Sequence, residues 1–120
     1  MTIDELVTKI KTQPDAVEFQ EVIGCIDKYF DYTPQHFTNG HGHDTVINQA
    51  GSNEGSCKIF AFATMEGLSE AETLACFGKH YRQDVLQNPG GDDHANIRTF
   101  MRHGWKGVRF EQSALIRHKD

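Results

Sequence analysis

Between Ala16 and Phe30 the side chains Ala16, Phe19, Val22, Ile23, Ile26, Tyr29 and Phe30 recur at spacings of three and four. That period lines them along one stripe of an α-helix, whereas a strand would need a period of two. The pattern predicts an amphipathic helix with one face committed to a core. Upstream, Thr2 and Glu5 have the spacing of a capping box ahead of Ile3, Leu6, Val7 and Ile10. Pro14 interrupts this first helix and can open the next turn.

The same reading continues downstream. Lys58 and Thr64 alone interrupt the apolar run that follows Ser56 in SCKIFAFATM. A strand would explain part of that run. A helix buried on most sides explains more, because Gly67 can end it and Ser69 with Glu72 then offers a second capping box. Leu74, Ala75, Phe77, Tyr81, Val85 and Leu86 supply the packed face of one long helix that Asn88-Pro89-Gly90-Gly91 ends. Asp92 or Asp93 can cap a further helix with His94, Ile97, Phe100 and Met101 inward and Gly104 at its end. Trp105, Val108 and Phe110 alternate over a few positions and read as a short extended clip. Residues 113–120 read as a frayed end or a short helical turn. The remaining stretch, about 31–53, is rich in His, Gly and Asn and has no apolar period, so it reads as one long loop.

The expected fold is therefore all-α: a compact single-domain bundle of about five helices with one long loop and a C-terminal clip. A chain of 120 residues fits one domain, and twelve aromatic residues argue against bulk disorder. No apolar run approaches the roughly 20 residues needed to span a bilayer. The start, MTIDELVTKIKTQ, has no basic region followed by an apolar core, so no secretory signal is expected. The expectation is a soluble monomer without membrane attachment.

Charge is uneven. Residues 1–60 carry four basic and nine acidic side chains, while 61–120 carry eight of each. The stretch from Arg98 to Lys119 holds six basic residues against Glu111. Arg98, Arg102, Lys106 and Arg109 could there meet an anion, but a chain of net charge -5 lacks the footprint of a dedicated nucleic-acid binder. Nucleic acid is not an expected partner. Cys25, Cys57 and Cys76 are odd in number and form no CxxC, which fits buried free thiols rather than disulfides or a zinc ribbon.

Three constellations could carry chemistry. His41, His43 and Asp44 lie in the string HGHD and offer imidazole and carboxylate donors to one ion, with zinc the metal considered and no cofactor otherwise expected. Cys57 sits at a loop-to-helix junction, where a helix N-terminus lowers a thiol pKa, so it is the best nucleophile candidate, with His94 or His80 as its base. The packed-core reading of Cys57, with Ser56 capping the helix, stands beside it. His36, Asn39, His41, His43, Asn53, Glu54 and Ser56 make the candidate binding region from the loop into that helix. His94 on a helical stripe also reads as a packing residue, and Arg82 and Asp84 read as exposed ion-pairing groups.

The segments YTPQHFTNG (32–40), NEGSCKIFAFATMEGLSEAETLACFG (53–78), YRQDVL (81–86), DHANIRTFM (93–101) and GWKGVRFE (104–111) follow one another in order. Together they resemble the HopJ (HopPmaJ) family of type III effector proteins over about residues 15–115. The resemblance implies a small, mainly helical domain of bacterial origin, in the bacterial cytoplasm or delivered into a host cell. It brings no settled reaction and no catalytic residues. The leading expectation is a module that binds a host or cellular protein. The alternatives are a small enzyme or metal protein using the loop histidines with Asn53, Glu54 and Cys57, and an anion or nucleic-acid binder using the C-terminal basic residues.

Overall fold

The computed structural model describes residues 1–118. Among these residues five α-helices form: α1 (Ile3–Thr12), α2 (Phe19–Tyr29) and α3 (Glu54–Glu66) where the pattern places them, then a shortened α4 (Glu70–Ala75) and α5 (Ala95–His103). Both predicted capping boxes are made. Thr2 Oγ1 accepts from Glu5 N–H at 3.1 Å while Glu5 Oε1 accepts from Thr2 N–H at 2.8 Å. Ser69 and Glu72 repeat the arrangement at 3.1 and 2.9 Å. α3 is the central helix, with Cys57 and the whole run from Ile59 to Ala63 buried. Phe60 is its hub, with ring centroids 5.1 Å from Phe100, 5.7 Å from Phe77, 6.0 Å from Phe37 and 6.2 Å from Trp105.

The fold is not all-α. Among the described residues five strands form two antiparallel sheets: β1 (Phe30–Tyr32), β2 (Phe37–His41), β3 (Asp44–Asn48), β4 (Arg109–Phe110) and β5 (Leu115–Arg117), in the orders β1-β5 and β3-β2-β4. The stretch expected as a long loop is mostly the β2–β3 hairpin, with Phe37 opposite Asn48 and His41 opposite Asp44. Gly42, at φ +58°, begins its two-residue turn, as the primed hairpin turns require. The alternation is real but disguised. Phe37 and Asn39 face inward, Thr38 and Gly40 sit less buried, and Asn48 is buried at the far end. Two of those inward positions are asparagines, so hydropathy does not report them.

The C-terminal end also differs from expectation. Residues 115–117 are neither frayed nor helical: Leu115 pairs with Tyr32 and Arg117 with Phe30. Lys119 and Asp120, the last residues of that expectation, lie outside the described residues. Of the expected clip, Val108 is extended and Arg109–Phe110 forms a strand, while Trp105 lies in a 3-10 turn at Gly104–Gly107. The Phe110 ring stacks on Phe37 at 4.9 Å.

The long helix expected from Ser69 to Leu86 is broken. α4 stops at Ala75, a turn follows, and a π-helix runs from His80 to Val85. Gly78 makes the break, at φ +58°. A Cβ there would lie 2.7 Å from the Phe19 backbone nitrogen, so the turn presses against the start of α2 where no side chain fits. Asp92 and Asp93 do not cap α5. His94 occupies that N-cap position, and Met101 is exposed rather than inward.

Candidate functional site

The π-helix and the entry to α5 converge on one carboxylate. His94 Nε2 lies 2.9 Å and His80 Nδ1 lies 3.4 Å from the same Asp84 Oδ2. The two imidazole rings are 4.9 Å apart, and Phe19 sets its ring edge against His80, also at 4.9 Å. The hydrogen bonds from His94 and then His80 hold the Asp84 carboxyl below the usual carboxylate range. Among the described residues, these three form the one group of three or more His, Cys, Asp or Glu side chains whose donor atoms all lie within 4.8 Å of one another.

Each member is placed by a backbone irregularity. π-Helical turns are rare and frequently occur at functional sites; this one carries both His80 and Asp84. His94 has φ +51°, a left-handed conformation uncommon outside glycine. The loop between Asp84 and His94 is braced from beneath by Arg98, which is 8% exposed. Its Nε donates to the Asp93 carbonyl at 2.6 Å, Nη1 to the Asn88 carbonyl at 2.9 Å, and Nη2 to the Asp93 carboxylate at 2.6 Å.

A pocket of about 230 Å³ opens beside the cluster. His80 and His94 form one wall, Asn53, Gly55 and Ser56 at the start of α3 form another, and Phe19, Phe77 and Ile97 give it apolar surface. Asn53 is the second non-glycine residue with a left-handed backbone, at φ +50°. An asparagine network supports this wall. Asn53 Nδ2 donates to Asn48 Oδ1 at 2.7 Å, Asn96 Nδ2 donates to the same oxygen at 2.8 Å, and Asn39 Nδ2 donates to the Asn96 carbonyl at 2.9 Å. Asn39, Asn48 and Asn96 are all buried.

The expected site residues divide between this pocket and elsewhere. Asn53, Ser56, His80 and His94 line it together. Asn39 is a buried member of the supporting network. Glu54 and His36 are exposed. His41 and His43 are exposed at the hairpin tip, while Asp44 turns away to α5, bonding Arg102 at 2.7 and 2.9 Å and His103 at 2.7 Å. Cys57 is 1% exposed, with Sγ 3.9 Å from the Gln35 carbonyl, and burial pushes its thiol pKa up. That is the environment of a core thiol rather than of an activated nucleophile. Of the C-terminal basic residues, Arg98 is spent on its loop and Arg102 on Asp44.

Sequence reasoning passed over Asp84 as an exposed ion-pairing residue. The available signal was His80 and Asp84 at a spacing of four with a third donor, His94, ten residues on. Asn48 and Asn96 gave no comparable signal, since a buried asparagine reads from sequence as a loop residue.

No helix of the described residues is long and apolar enough to cross a membrane. A family model described as HopJ type III effector protein matches residues 3–115. A solved structure, the crystal structure of unknown function protein VPA0580, is similar with a TM-score of 0.93 and 43% identity, covering 98% of this chain and 95% of that one. A comparison with curated proteins finds no match.

Proposed function

The chain belongs to the HopJ type III effector protein family, and from that membership we propose that it is a binding module whose recognition site is the pocket between α2, α3 and α5. The fitting occupant is one anchoring side chain of a cellular protein, part polar and part apolar like the walls it meets. The family's description makes a protein of a host cell the first partner to seek, and the bacterial cytoplasm is the other setting for the same interaction.

One observation carries this reading. Asn53 and His94, the two non-glycine residues with positive φ among the described residues, line the same pocket. Strained backbone persists only where the surrounding structure over-determines it, and it concentrates at binding and catalytic sites. The asparagine network and Arg98 supply that determination here, one behind each residue.

Ser56→Trp tests it by filling the pocket from the first turn of α3. Wild type and S56W would each be used to capture partners from host-cell and bacterial extracts, after their thermal unfolding is compared. The reading expects a partner retained by wild type and lost by S56W. A partner that S56W still holds, but that a His41/His43 double alanine variant loses, would move recognition to the hairpin tip.

A further inference from the structure

We propose that His80 Nδ1, Asp84 Oδ2 and His94 Nε2 bind one first-row divalent transition-metal ion at the mouth of the pocket. The inference goes beyond the binding reading, and the metal site itself does not depend on it.

The distances suit coordination. Donors held about 2.0–2.2 Å from a shared tetrahedral zinc ion stand about 3.3–3.6 Å from one another. Asp84 Oδ2 is already 2.9 Å from one imidazole nitrogen and 3.4 Å from the other, and all three donors fall within 4.8 Å. A small convergence of the rings brings them onto one ion. The two hydrogen bonds that now join the group are exchanged for metal–ligand bonds, with both coordinating nitrogens unprotonated.

The donor types choose the ion. Two imidazoles and a carboxylate suit zinc, iron(II), cobalt(II) or nickel(II). Calcium and magnesium prefer oxygen donors throughout. Three protein donors also leave coordination positions open, which is the arrangement of catalytic rather than structural zinc sites. Those positions lie at the pocket that Asn53, Ser56 and Asn96 line. They suit water or an oxygen or nitrogen donor from a ligand, a point that does rest on the pocket being the recognition site.

Preorganisation is the second, independent support. Hydrogen bonding alone could be met by two flexible surface histidines. Here the π-helix carries two donors, a left-handed N-cap carries the third, and buried Arg98 fixes the loop between them with bonds to Asn88 and Asp93. Arg98 also reaches the Asp84 carbonyl at 3.4 Å. Such outer partners orient ligands at metal sites and tune their affinity.

The experiment is titration of the EDTA-stripped full chain at neutral pH. Zinc chloride would be followed by calorimetry and cobalt(II) by visible absorption, with histidine ring NMR signals locating the ligands. The expected result is saturation at one equivalent with shifts at His80 and His94. His80→Ala and Asp84→Asn each then weaken binding by more than about tenfold, a loss at least as large as that from an outer-sphere partner. His94→Asn, which tolerates the left-handed backbone, does the same without unfolding the chain. A His41/His43 double alanine variant binds as wild type. The proposal is overturned by the absence of saturable binding, by binding that survives loss of both His80 and His94, or by binding that disappears with His41 and His43. Because the protein is titrated alone, failure here leaves partner capture by the pocket standing, and failure of capture leaves the metal site standing.

Discussion

The Asp44 carboxylate grips the Arg102 guanidinium through two bonds, Oδ2 to Nε at 2.7 Å and Oδ1 to Nη2 at 2.9 Å. His103 Nε2 meets the same Oδ2 at 2.7 Å. A residue at the tip of the hairpin is thereby clamped to the last turn of α5. The aspartate that the sequence offers as a candidate metal ligand is committed to holding the sheet against the helix.

This clamp has a pH signature. The hydrogen bonds from Arg102 and then His103 lower the Asp44 carboxyl from its ordinary 3.8 to about 2. A carboxyl depressed on folding contributes stability that is fully present above its unfolded pKa and is lost as pH falls through the folded one. Asp44→Asn should therefore lower the urea midpoint at neutral pH. The gap from wild type should close between about 3.8 and about 2. A gap that stays constant down to pH 2 would show that the clamp owes nothing to charge.

The asparagine network should behave as one unit. Asn48→Ala or Asn96→Ala removes a buried amide and strands its partners, at roughly 1–3 kcal/mol for each polar group left unpaired. Once either is gone, the second substitution has less to lose. A double-mutant cycle by urea unfolding should give a coupling of about 0.5–3 kcal/mol. Strict additivity would mean that the two side chains act separately.

All three thiols should be slow. Cys25, Cys57 and Cys76 are 5%, 1% and 0% exposed. Burial, and then neighbouring Glu72, pushes the Cys76 thiol up to about 12. A disulfide exchange reagent at mildly alkaline pH should label the native protein no faster than it unfolds, and label all three cysteines at once in urea. Rapid native labelling of Cys57 would restore it as a nucleophile.

Arg98→Leu should loosen one segment selectively. The carbonyls of Asn88 and Asp93 lose their donor, and the Asp93 carboxylate loses its partner. Amide exchange should accelerate through residues 87–94, while the middle of α3, buried on most sides and not bonded by Arg98, keeps its protection. Uniform acceleration across the chain would instead make Arg98 a global stabiliser.

Legibility followed the kind of signal each element carries. α1 and α4 could be placed to their first residue, because Thr2–Glu5 and Ser69–Glu72 announce their caps in local spacing. α3 could be read from its continuous apolar run. Of the strands, β4 alone falls within a stretch that reads as extended, the clip of Trp105, Val108 and Phe110. Phe30–Tyr32 and Leu115–Arg117 are too short to show a period, and the hairpin turns Asn39 and Asn48 inward where an apolar residue would have revealed it. The site was half visible. Asn53, Ser56, His80 and His94 were named, but no spacing rule foretells a π-helix or a left-handed histidine. Asp84, the residue that joins the two histidines, therefore looked ordinary.

The antiparallel pairing of β1 with β5 sets the order in which the molecule can be finished. Tyr32 waits for Leu115, and the Tyr29 carbonyl waits for the His118 amide, across most of the chain. On the ribosome α1 and α2 can meet early, but the edge at Phe30 stays open until the last strand has cleared the exit tunnel. Contacts this distant in sequence cost loop-closure entropy before they return any stabilisation, and so they slow folding. A nascent or truncated chain that ends before Leu115 keeps an unpaired strand edge beside the Phe30–Phe62 contact of the core. It should be the form that chaperones and proteases recognise.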